Sequence, residues 1–343
     1  MRAVVYDAPR TFSVREVPTP APGPGEVRVR VIQTGLCGTD LHLHDGQFMA
    51  VYPMVPGHET LGVVDALGDG VEAVEGVAVG DRVVVNPNAS CGRCAYCREG
   101  RPLLCDDLTG IGSSLPGGFA EYLVAPAVQV FSVDGLADDT AVLVEPTSCA
   151  AHAVDVIAPR HGSTALVLGA GPTGILLAQL LRAAGAASVT VAAPTAFKLD
   201  LAASLGADRT HLMDRRDLPG DVRALLASSG GAGYDLTVDA TGAAVVAEVL
   251  LPLTRNGGTA VFYGVTDEAD RVSISPYDMF RRELTIKGSF AEISSFPAAI
   301  AALRAGRART DGLITHRFAL DDYGSALEAL RSDRTAHKIV VTP

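Results

Sequence analysis

The sequence predicts an α/β protein with a β-rich first part and a parallel, doubly wound sheet in its second part. Up to about residue 150, short apolar strands alternate with turns rich in glycine and proline, such as Pro20–Gly25. Beyond that point strands alternate with helical segments, which is the order that builds a parallel sheet covered by helices. The chain has 343 residues, enough for about two domains.

The individual elements follow from hydrophobic periodicity and from the turns that bound it. In the first part, the predicted strands include Glu26–Ile32, Gly62–Ala66 and Arg82–Val85. In the second part, we expect strands at Ala165–Leu168, Ser188–Ala192, Leu236–Asp239, Thr259–Tyr263 and Leu284–Gly288, and helices at Thr173–Ala184 and Phe197–Leu205. The remaining residues contain a predicted helix at Phe296–Ala305 and a final strand near His337–Val341.

The composition narrows the class of protein and its partners. The chain is 48% hydrophobic and 20% charged, which is typical of a globular protein rather than a disordered one. Its net charge is −11 and it has no strong basic run, so we expect neither nucleic acid nor an anionic membrane as a partner. No apolar run approaches the roughly 20 residues of a membrane span. No secretory signal follows Met1, so we expect a cytoplasmic protein in a reducing compartment.

Four cysteines with the spacing C-x2-C-x2-C-x7-C predict a structural metal site. They are Cys91, Cys94, Cys97 and Cys105. Four thiolates suit one tetrahedral Zn²⁺. A disulfide between cysteines three residues apart would be strained, and an iron–sulfur cluster is the other metal alternative. The surrounding lobe has few bulky apolar side chains, so the metal would supply much of its folding energy.

A glycine-rich turn between an apolar strand and a helix predicts a dinucleotide site. Residues 169–174 read Gly-Ala-Gly-Pro-Thr-Gly, with Gly169, Gly171 and Gly174 in the G-x-G-x-x-G positions and Pro172 and Thr173 between them. The first glycine permits the tight turn, the second lets the backbone approach a pyrophosphate, and the third allows close helix–strand packing. The helix N-terminus offers unpaired N–H groups to the phosphates. A glycine-rich turn of an unrelated α/β fold is the alternative.

The end of the predicted strand Ser188–Ala192, the second strand beyond residue 150, favours NADP over NAD. NAD sites usually carry an Asp or Glu about 20 residues after the glycine motif, where it binds the ribose 2′-hydroxyl. Here residues 191–198 contain no carboxylate, and Ala193 stands near the strand end. Thr195 can hydrogen-bond a 2′-phosphate and Lys198 can supply charge. Lys198 can equally be an ordinary solvated helix residue, so NAD stays an alternative.

Three further residues predict a second, catalytic metal site. Cys37, His58 and Glu145 would provide a thiolate, an imidazole and a carboxylate, leaving the fourth position of a zinc ion open. An open position can bind a substrate oxygen and polarise it. Each residue also has a purely structural interpretation. Cys37 can be a small buried hydrophobic residue, His58 a hydrogen-bonded turn residue, and Glu145 a carboxylate at a helix N-terminus.

Over essentially its whole length the chain resembles the zinc-containing medium-chain dehydrogenases of the alcohol/polyol dehydrogenase superfamily. Besides the glycine motif and the four cysteines, the resemblance rests on Cys-Gly-Thr-Asp at 37–40, Gly-His-Glu at 57–59, Gly-Gly-Phe-Ala-Glu-Tyr at 117–122 and Glu-Pro at 145–146. It implies a GroES-like catalytic domain, 1–150 and 289–343, with the four-cysteine lobe at about 88–108, and a Rossmann domain at 151–288. It also implies a homo-oligomer, a dimer or a homotetramer.

The resemblance assigns the metal ligands. Cys37, His58 and Glu145 match the catalytic zinc ligands of the sorbitol dehydrogenase branch. Glu59 matches a neighbouring glutamate that can approach the metal or exchange with its water. The four cysteines match the structural zinc ligands, so the expected content is two Zn²⁺ per chain.

The resemblance also implies a proton path and a reaction. Thr39 matches the hydroxyl that hydrogen-bonds the alcohol, and His42 resembles a relay histidine that passes the alcohol proton to solvent. We therefore expect transfer of hydride between NAD(P) and a secondary alcohol, with a polyol such as a pentitol, hexitol or cyclitol as substrate. An L-threonine dehydrogenase-like amino-alcohol enzyme is the alternative, and a non-catalytic NADPH-binding protein is a weaker one.

One departure from sorbitol dehydrogenases concerns the substrate. Where those enzymes carry an Arg-Tyr pair, this chain has Ala291-Glu292. Glu292 can accept hydrogen bonds from several hydroxyls or attract an amine, so it is a candidate substrate contact. The alternative is a solvent-facing glutamate at the rim of the pocket.

Overall fold

A computed structural model describes residues 1–71 and 76–343 of the chain. Contacts between Cα atoms divide it into two compact units. The first unit comprises Met1–Ser148, Glu292–Arg304 and Ile314–Pro343, and the second comprises Cys149–Ala291 and Ala305–Leu313.

The described residues form strands and helices in mixed order. The strands are β1 (Arg2–Ala8), β2 (Thr11–Glu16), β3 (Glu26–Leu36), β4 (Glu59–Leu67), β5 (Arg82–Val85), β6 (Asn88–Ala89), β7 (Thr109–Gly110), β8 (Tyr122–Pro126), β9 (Val130–Ser132), β10 (Thr164–Leu168), β11 (Ser188–Ala193), β12 (Arg209–Leu212), β13 (Tyr234–Asp239), β14 (Thr254–Phe262), β15 (Thr285–Gly288), β16 (Ile314–Ala319) and β17 (Lys338–Thr342). The helices are α1 (Gly38–His44), α2 (Ala95–Arg98), α3 (Asp138–Ala141), α4 (Val144–Ile157), α5 (Pro172–Ala183), α6 (Ala196–Ser204), α7 (Leu218–Ser228), α8 (Ala244–Ala247), α9 (Leu250–Leu253), α10 (Pro276–Arg282), α11 (Phe296–Arg304) and α12 (Tyr323–Ser332).

The first unit is built on a mostly antiparallel sheet with β3 at its centre. Its order is β16-β17-β3-β4-β5-β9, β8 also pairs with β3, and β16 runs parallel to β17. Along β3, Val27, Val29 and Val31 are buried while the residues between them are not. This alternation is the period-two pattern of a strand with one face on a core. The register of β3 and β4 places Gly35 opposite Glu59, which brings the two ends of these strands to the site described below.

The second unit contains a parallel sheet in the order β12-β11-β10-β13-β14-β15. Every pair in it is parallel. This is the doubly wound order of a dinucleotide-binding fold, and it confirms the predicted fold class. The central strand β10 is buried from Ala165 to Leu168, as expected for a strand covered by helices on both faces.

The predicted elements correspond to observed strands and helices with ends that differ by a few residues. One edge strand, β12, does not follow from the hydrophobic pattern, and its residues Arg209 and Thr210 are exposed. A polar, exposed strand lacks the apolar run on which such predictions depend. Among the described residues, no helix combines the length and apolarity that crossing a membrane requires.

Candidate metal centres and nucleotide site

Cys37 is held at the turn between β3 and α1. It is the N-cap of α1, and its sulfur accepts a hydrogen bond from the Thr39 backbone N–H at 3.3 Å. In return, the Asp40 carboxylate accepts one from the Cys37 backbone N–H at 2.9 Å. This is a capping box in which a cysteine takes the place usually held by serine or threonine. The reciprocal bonds fix the direction of the sulfur.

His58 lies beside this sulfur, just before β4. Its Nε2 is 3.1 Å from Cys37 Sγ, and its Nδ1 is 3.7 Å from Asp40 Oδ1. Burial acts to lower the pKa of His58, but the charges of Cys37 and Asp40 outweigh it and raise the pKa well above 6.5. The imidazole therefore sits in a strongly negative environment, which also suits a cation.

Glu59 completes a group of three potential metal ligands. One ligand atom each from Cys37, His58 and Glu59 lies within 4.8 Å of the others. The Glu59 side chain is only 2% exposed, and Lys338 Nζ lies 2.5 Å from its carboxylate. A Cβ on Gly35 would overlap this carboxylate, so glycine makes room for it. A thiolate, an imidazole and a carboxylate fit the donor set of zinc.

Glu145 is in the first turn of α4, outside this group of three. Its charge is nevertheless one of those that raise the pKa of His58 and of Lys338. The structure thus brings Glu145 into electrostatic reach of the site. The third potential ligand within 4.8 Å is the carboxylate of Glu59, for which the resemblance implied a neighbouring role.

Asp40 and Lys338 are residues of this site to which the sequence analysis assigned no function. Both are buried, at 1% and 2% exposure. Asp40 had a local signal, since an acidic residue three positions after a helix N-cap is typical of a capping box. Lys338 stands at the start of the apolar strand β17, and a lysine is almost never fully buried unless it is paired.

The four cysteines of the second cluster also come together. The sulfur atom of each of these four cysteines lies within 4.8 Å of the other three sulfurs, and all four are free thiols. The Cys91 and Cys94 backbone N–H groups donate to Cys105 Sγ and Cys91 Sγ at 3.2 and 3.3 Å. Hydrogen bonds from the Arg93 and Cys94 N–H groups lower the pKa of Cys91 to about 6. Such bonds stabilise thiolate, the form that binds metal, and the disulfide alternative is not what the structure shows.

Glu292 is fully buried, with 0% exposure, so the solvent-facing alternative is wrong. Asn88 Nδ2 donates to Glu292 Oε1 at 3.0 Å and to the Glu292 backbone oxygen at 2.8 Å. Burial, and then the charge of Glu145, raise the pKa of Glu292 well above 4.5. The residue belongs to the electrostatic surroundings of Glu145 and His58 in the first unit.

Thr39 and His42 lie three residues apart on α1, and therefore on one face of the helix. Both are partly exposed. His42 Nδ1 is 2.9 Å from the side-chain oxygen of Gln47.

The glycine motif in the second unit forms the turn from β10 into α5. Gly169 has φ +119°, and a Cβ there would meet the Ala240 backbone oxygen at 2.9 Å. A Cβ on Gly174 would overlap the Gly169 backbone oxygen. Gly171, the N-cap of α5, has no atom of the described residues within 4 Å of its hypothetical Cβ. The protein's own packing therefore requires glycine at 169 and 174, whereas at 171 it leaves space in front of the helix N-terminus for a ligand.

The neighbouring strand β11 ends at the buried Ala193. Thr195 is the N-cap of α6, but its side chain makes no capping hydrogen bond. Lys198 follows in the first turn of that helix and is partly exposed. As in the sequence, no carboxylate stands at this strand end.

The comparisons with known proteins agree with this architecture. Residues 23–135 match the model of the alcohol dehydrogenase GroES-like domain, and residues 172–305 match that of the zinc-binding dehydrogenases. D-arabinitol dehydrogenase 1 of Uromyces fabae is 42% identical over 344 residues, covering 100% of this chain and 97% of that protein. D-altritol 5-dehydrogenase of Agrobacterium fabrum (strain C58 / ATCC 33970) is 36% identical, with coverages of 90% and 89%. L-threonine 3-dehydrogenase of Serratia proteamaculans (strain 568) is 33% identical, covering 95% of both chains.

Solved structures show the same fold over the whole chain. A protein from Sinorhizobium meliloti 1021, assigned to the zinc-binding dehydrogenases and bound to NADP, has a TM-score of 0.90 at 34% identity and covers 100% of this chain and 99% of its own. An E. coli CFT073 alcohol dehydrogenase in complex with NADH has a TM-score of 0.90 at 32% identity with the same coverages. The chain belongs to the zinc-containing medium-chain dehydrogenases, in the branch with the polyol dehydrogenases, and is an oxidoreductase.

Proposed function

We propose that the protein is a zinc-dependent polyol dehydrogenase that oxidises a secondary hydroxyl to a ketone with NADP⁺ as the preferred acceptor. The observation that carries the proposal is the group of Cys37, His58 and Glu59 within 4.8 Å, in a chain similar to D-arabinitol and D-altritol dehydrogenases. A pentitol or hexitol is accordingly the expected substrate.

Two zinc ions per chain are part of this proposal. The catalytic ion would be held by Cys37 and His58 with Glu145 as third ligand, and Glu59 close enough to exchange with a ligand. The four-cysteine cluster would hold the second ion in a closed structural site. A zinc ion in the first site supplies Lewis acidity, which acidifies an alcohol and polarises a carbonyl.

The protein's own residues would orient the substrate and move its proton. Thr39 would accept the hydrogen bond of the reacting hydroxyl, and His42 would pass its proton to solvent. Both side chains are partly exposed on one face of α1, as this requires. Glu292 would hydrogen-bond a further hydroxyl of the substrate. For that contact the buried carboxylate must be uncovered or reached when substrate enters, since it is 0% exposed here.

The cofactor would bind at the turn of Gly169, Gly171 and Gly174, with Pro172 and Thr173 opening the helix that faces its pyrophosphate. The nicotinamide supplies a two-electron acceptor for hydride. The preference for NADP rests on Ala193 in place of a carboxylate, on the uncommitted hydroxyl of Thr195, and on the charge of Lys198. NAD is the alternative: of the two similar solved structures, one contains NADP and the other NADH.

We also infer a cytoplasmic homo-oligomer, a dimer or tetramer, without nucleic acid or membrane partners. The four clustered cysteines, which are potential metal ligands, suit a reducing compartment. Tyr277 and Phe280 on α10 are 69% and 81% exposed, which is typical of a surface that a second subunit covers. Light scattering coupled to gel filtration measures the oligomeric state. A monomer would contradict the inferred homo-oligomer.

An L-threonine dehydrogenase-like activity is the second candidate, favoured by the similarity to L-threonine 3-dehydrogenases. A non-catalytic NADPH-binding protein does not explain why a complete zinc donor set is brought together.

A substrate panel tests the function. Initial rates are measured with D-arabinitol, D-altritol, sorbitol and L-threonine, each with NAD⁺ and NADP⁺. A polyol should give the highest kcat/KM, with NADP⁺ preferred, and metal analysis of the same preparation should give about two zincs per chain. A highest kcat/KM for L-threonine would overturn the polyol assignment, and activity that survives complete removal of zinc would overturn the catalytic metal.

A further inference from the structure

The C-terminal end of α1 places one specific side chain against the ring of His42. The C-cap of α1 is Asp45, and the next residue, Gly46, has φ +86°. Only glycine adopts this conformation at little cost, and a Cβ there would also meet Pro9 at 2.9 Å. Gly46 therefore reverses the chain direction at this point.

The reversal is a complete Schellman motif. The Gln47 backbone N–H donates to the His42 oxygen at 2.9 Å, and the Gly46 N–H donates to the Leu43 oxygen at 3.1 Å. These are the two bonds that define the motif, and they place Gln47 directly beside His42. An apolar contact usually joins the side chains at these two positions. Here both side chains are polar, and His42 Nδ1 lies 2.9 Å from Gln47 Oε1.

We propose that Gln47 is a positioning residue that holds His42 in the tautomer with hydrogen on Nδ1 and a bare Nε2. A side-chain amide oxygen can only accept a hydrogen bond, so the ring nitrogen facing it must carry the hydrogen. The other ring nitrogen then has a free lone pair, which is the form that a proton acceptor needs.

The consequence for catalysis rests on the proposed function, whereas the tautomer itself does not. When bound, NADP⁺ would supply the hydride acceptor; the alcohol proton would pass to the bare Nε2 of His42, and the imidazolium would then return a proton from Nε2 to water. The products are ketone, NADPH and one proton. With the hydrogen on Nε2 instead, this nitrogen would be a hydrogen-bond donor and could not accept the proton.

Nuclear magnetic resonance of the ring nitrogens tests the tautomer in the full-length protein. The protein is labelled with ¹⁵N-histidine and studied at a pH where the rings are neutral, with His42→Asn used for assignment among the 8 histidines. In wild type, His42 should show a protonated Nδ1 and an unprotonated Nε2. Gln47→Leu, which removes the acceptor at similar size, should move the hydrogen toward Nε2, while Gln47→Glu should keep it on Nδ1.

Two controls accompany these variants. Asp45→Asn changes a side chain in the same turn whose partner is Arg10, so His42 should be unaffected. His44 has its own partner, with Nδ1 2.8 Å from the Tyr6 hydroxyl, and its signals should stay constant throughout.

Activity supplies the second readout. Gln47→Leu should lower kcat by about tenfold or more, because positioned proton transfer contributes roughly 10²–10⁴-fold, with KM for the polyol and zinc content nearly unchanged. A wild-type His42 with hydrogen on Nε2, or ring signals unaltered in Gln47→Leu, would overturn the proposal. If no alcohol is oxidised but the ring signals behave as expected, the proposed function fails and the positioning role of Gln47 stands.

Discussion

Lys338 Nζ lies 2.5 Å from the carboxylate of Glu59, and both side chains are almost completely buried. Lys338 also donates to the Leu36 backbone oxygen at 3.4 Å, just before Cys37. Burial acts to lower the pKa of Lys338, but the charges of Glu59 and Cys37 outweigh it and raise the pKa. The lysine therefore stays charged and compensates negative ligands of the candidate metal site.

Removing this cation should destabilise the protein strongly. Lys338→Met leaves the Glu59 carboxylate buried without its partner, and breaking a buried ion pair in this way costs about 3–5 kcal/mol. Urea unfolding of the zinc-loaded protein measures the change. The double variant Lys338→Met/Glu59→Gln should recover part of the loss, because no unpaired charge remains. A loss below about 1 kcal/mol, the range of exposed pairs, would contradict this account.

Removing Glu145 should show which of the two carboxylates, Glu145 or Glu59, is the third ligand of the catalytic zinc. Glu145→Ala is expected to lose the catalytic zinc while the four-cysteine site keeps its metal. Glu59→Gln, which retains volume, is expected to keep both ions and lower the activity. Zinc content is measured by mass spectrometry after gel filtration. Full zinc content in Glu145→Ala together with loss in Glu59→Gln would make Glu59 the ligand.

The four-cysteine lobe should depend on its metal. Cys94→Ser is expected to lose one zinc and to lower Tm, since metal binding supplies folding energy to a lobe with little core. Cys149→Ser is the matched control, because this cysteine lies outside both clusters, and it should keep its zinc content. Equal Tm and zinc content in Cys94→Ser and wild type would exclude a structural metal there.

Ala193→Asp should shift cofactor preference toward NAD. A carboxylate at the end of β11 would repel a 2′-phosphate and could bind the ribose 2′-hydroxyl instead. We expect the NADP/NAD ratio of kcat/KM to fall by about tenfold or more, equal to ~1.4 kcal/mol. Ala193→Asn is the uncharged control and should shift the ratio less. An unchanged ratio in Ala193→Asp would contradict the placement of the 2′-phosphate.

A methyl group at Gly35 should disturb the metal site through Glu59. Gly35→Ala forces the overlapping carboxylate to move, and overpacking of this kind costs about 1–3 kcal/mol. Gly38→Ala is the matched control, since no atom in the described part of the chain lies within 4 Å of its Cβ position. Unfolding free energy and zinc content should fall only in Gly35→Ala; equal values in the two variants would show that the carboxylate relaxes freely.

The fold class and most potential ligands could be predicted because their signals are local. The glycine motif sits between an apolar strand and a helix, and the four cysteines are close in sequence. The position of the Glu59 carboxylate beside Cys37 and His58 could not be predicted in the same way, because it depends on the register of β3 and β4, which places Glu59 opposite Gly35. The partner of the buried Glu292 is likewise distant in the chain, since its carboxylate accepts a hydrogen bond from Asn88, 204 residues away.

Lys338 illustrates a different limit. A lysine in a strand usually lies at an edge or in solvent, and nothing local to residue 338 indicates its partner. The pairing of β17 with β3, through Ile339 and Leu36, brings Lys338 close to Glu59, the first residue of β4.

The same ion pair bears on biosynthesis. Glu59 and Lys338 are 279 residues apart in the chain. At roughly 5–20 residues per second, a ribosome adds Lys338 about 14–56 s after Glu59. During that interval the nascent first unit has its cysteine, histidine and glutamate but lacks the cation that compensates the negative charges of Cys37 and Glu59. The site around Cys37 can therefore reach its final charge balance only late in translation, after the intervening dinucleotide-binding fold has been synthesised.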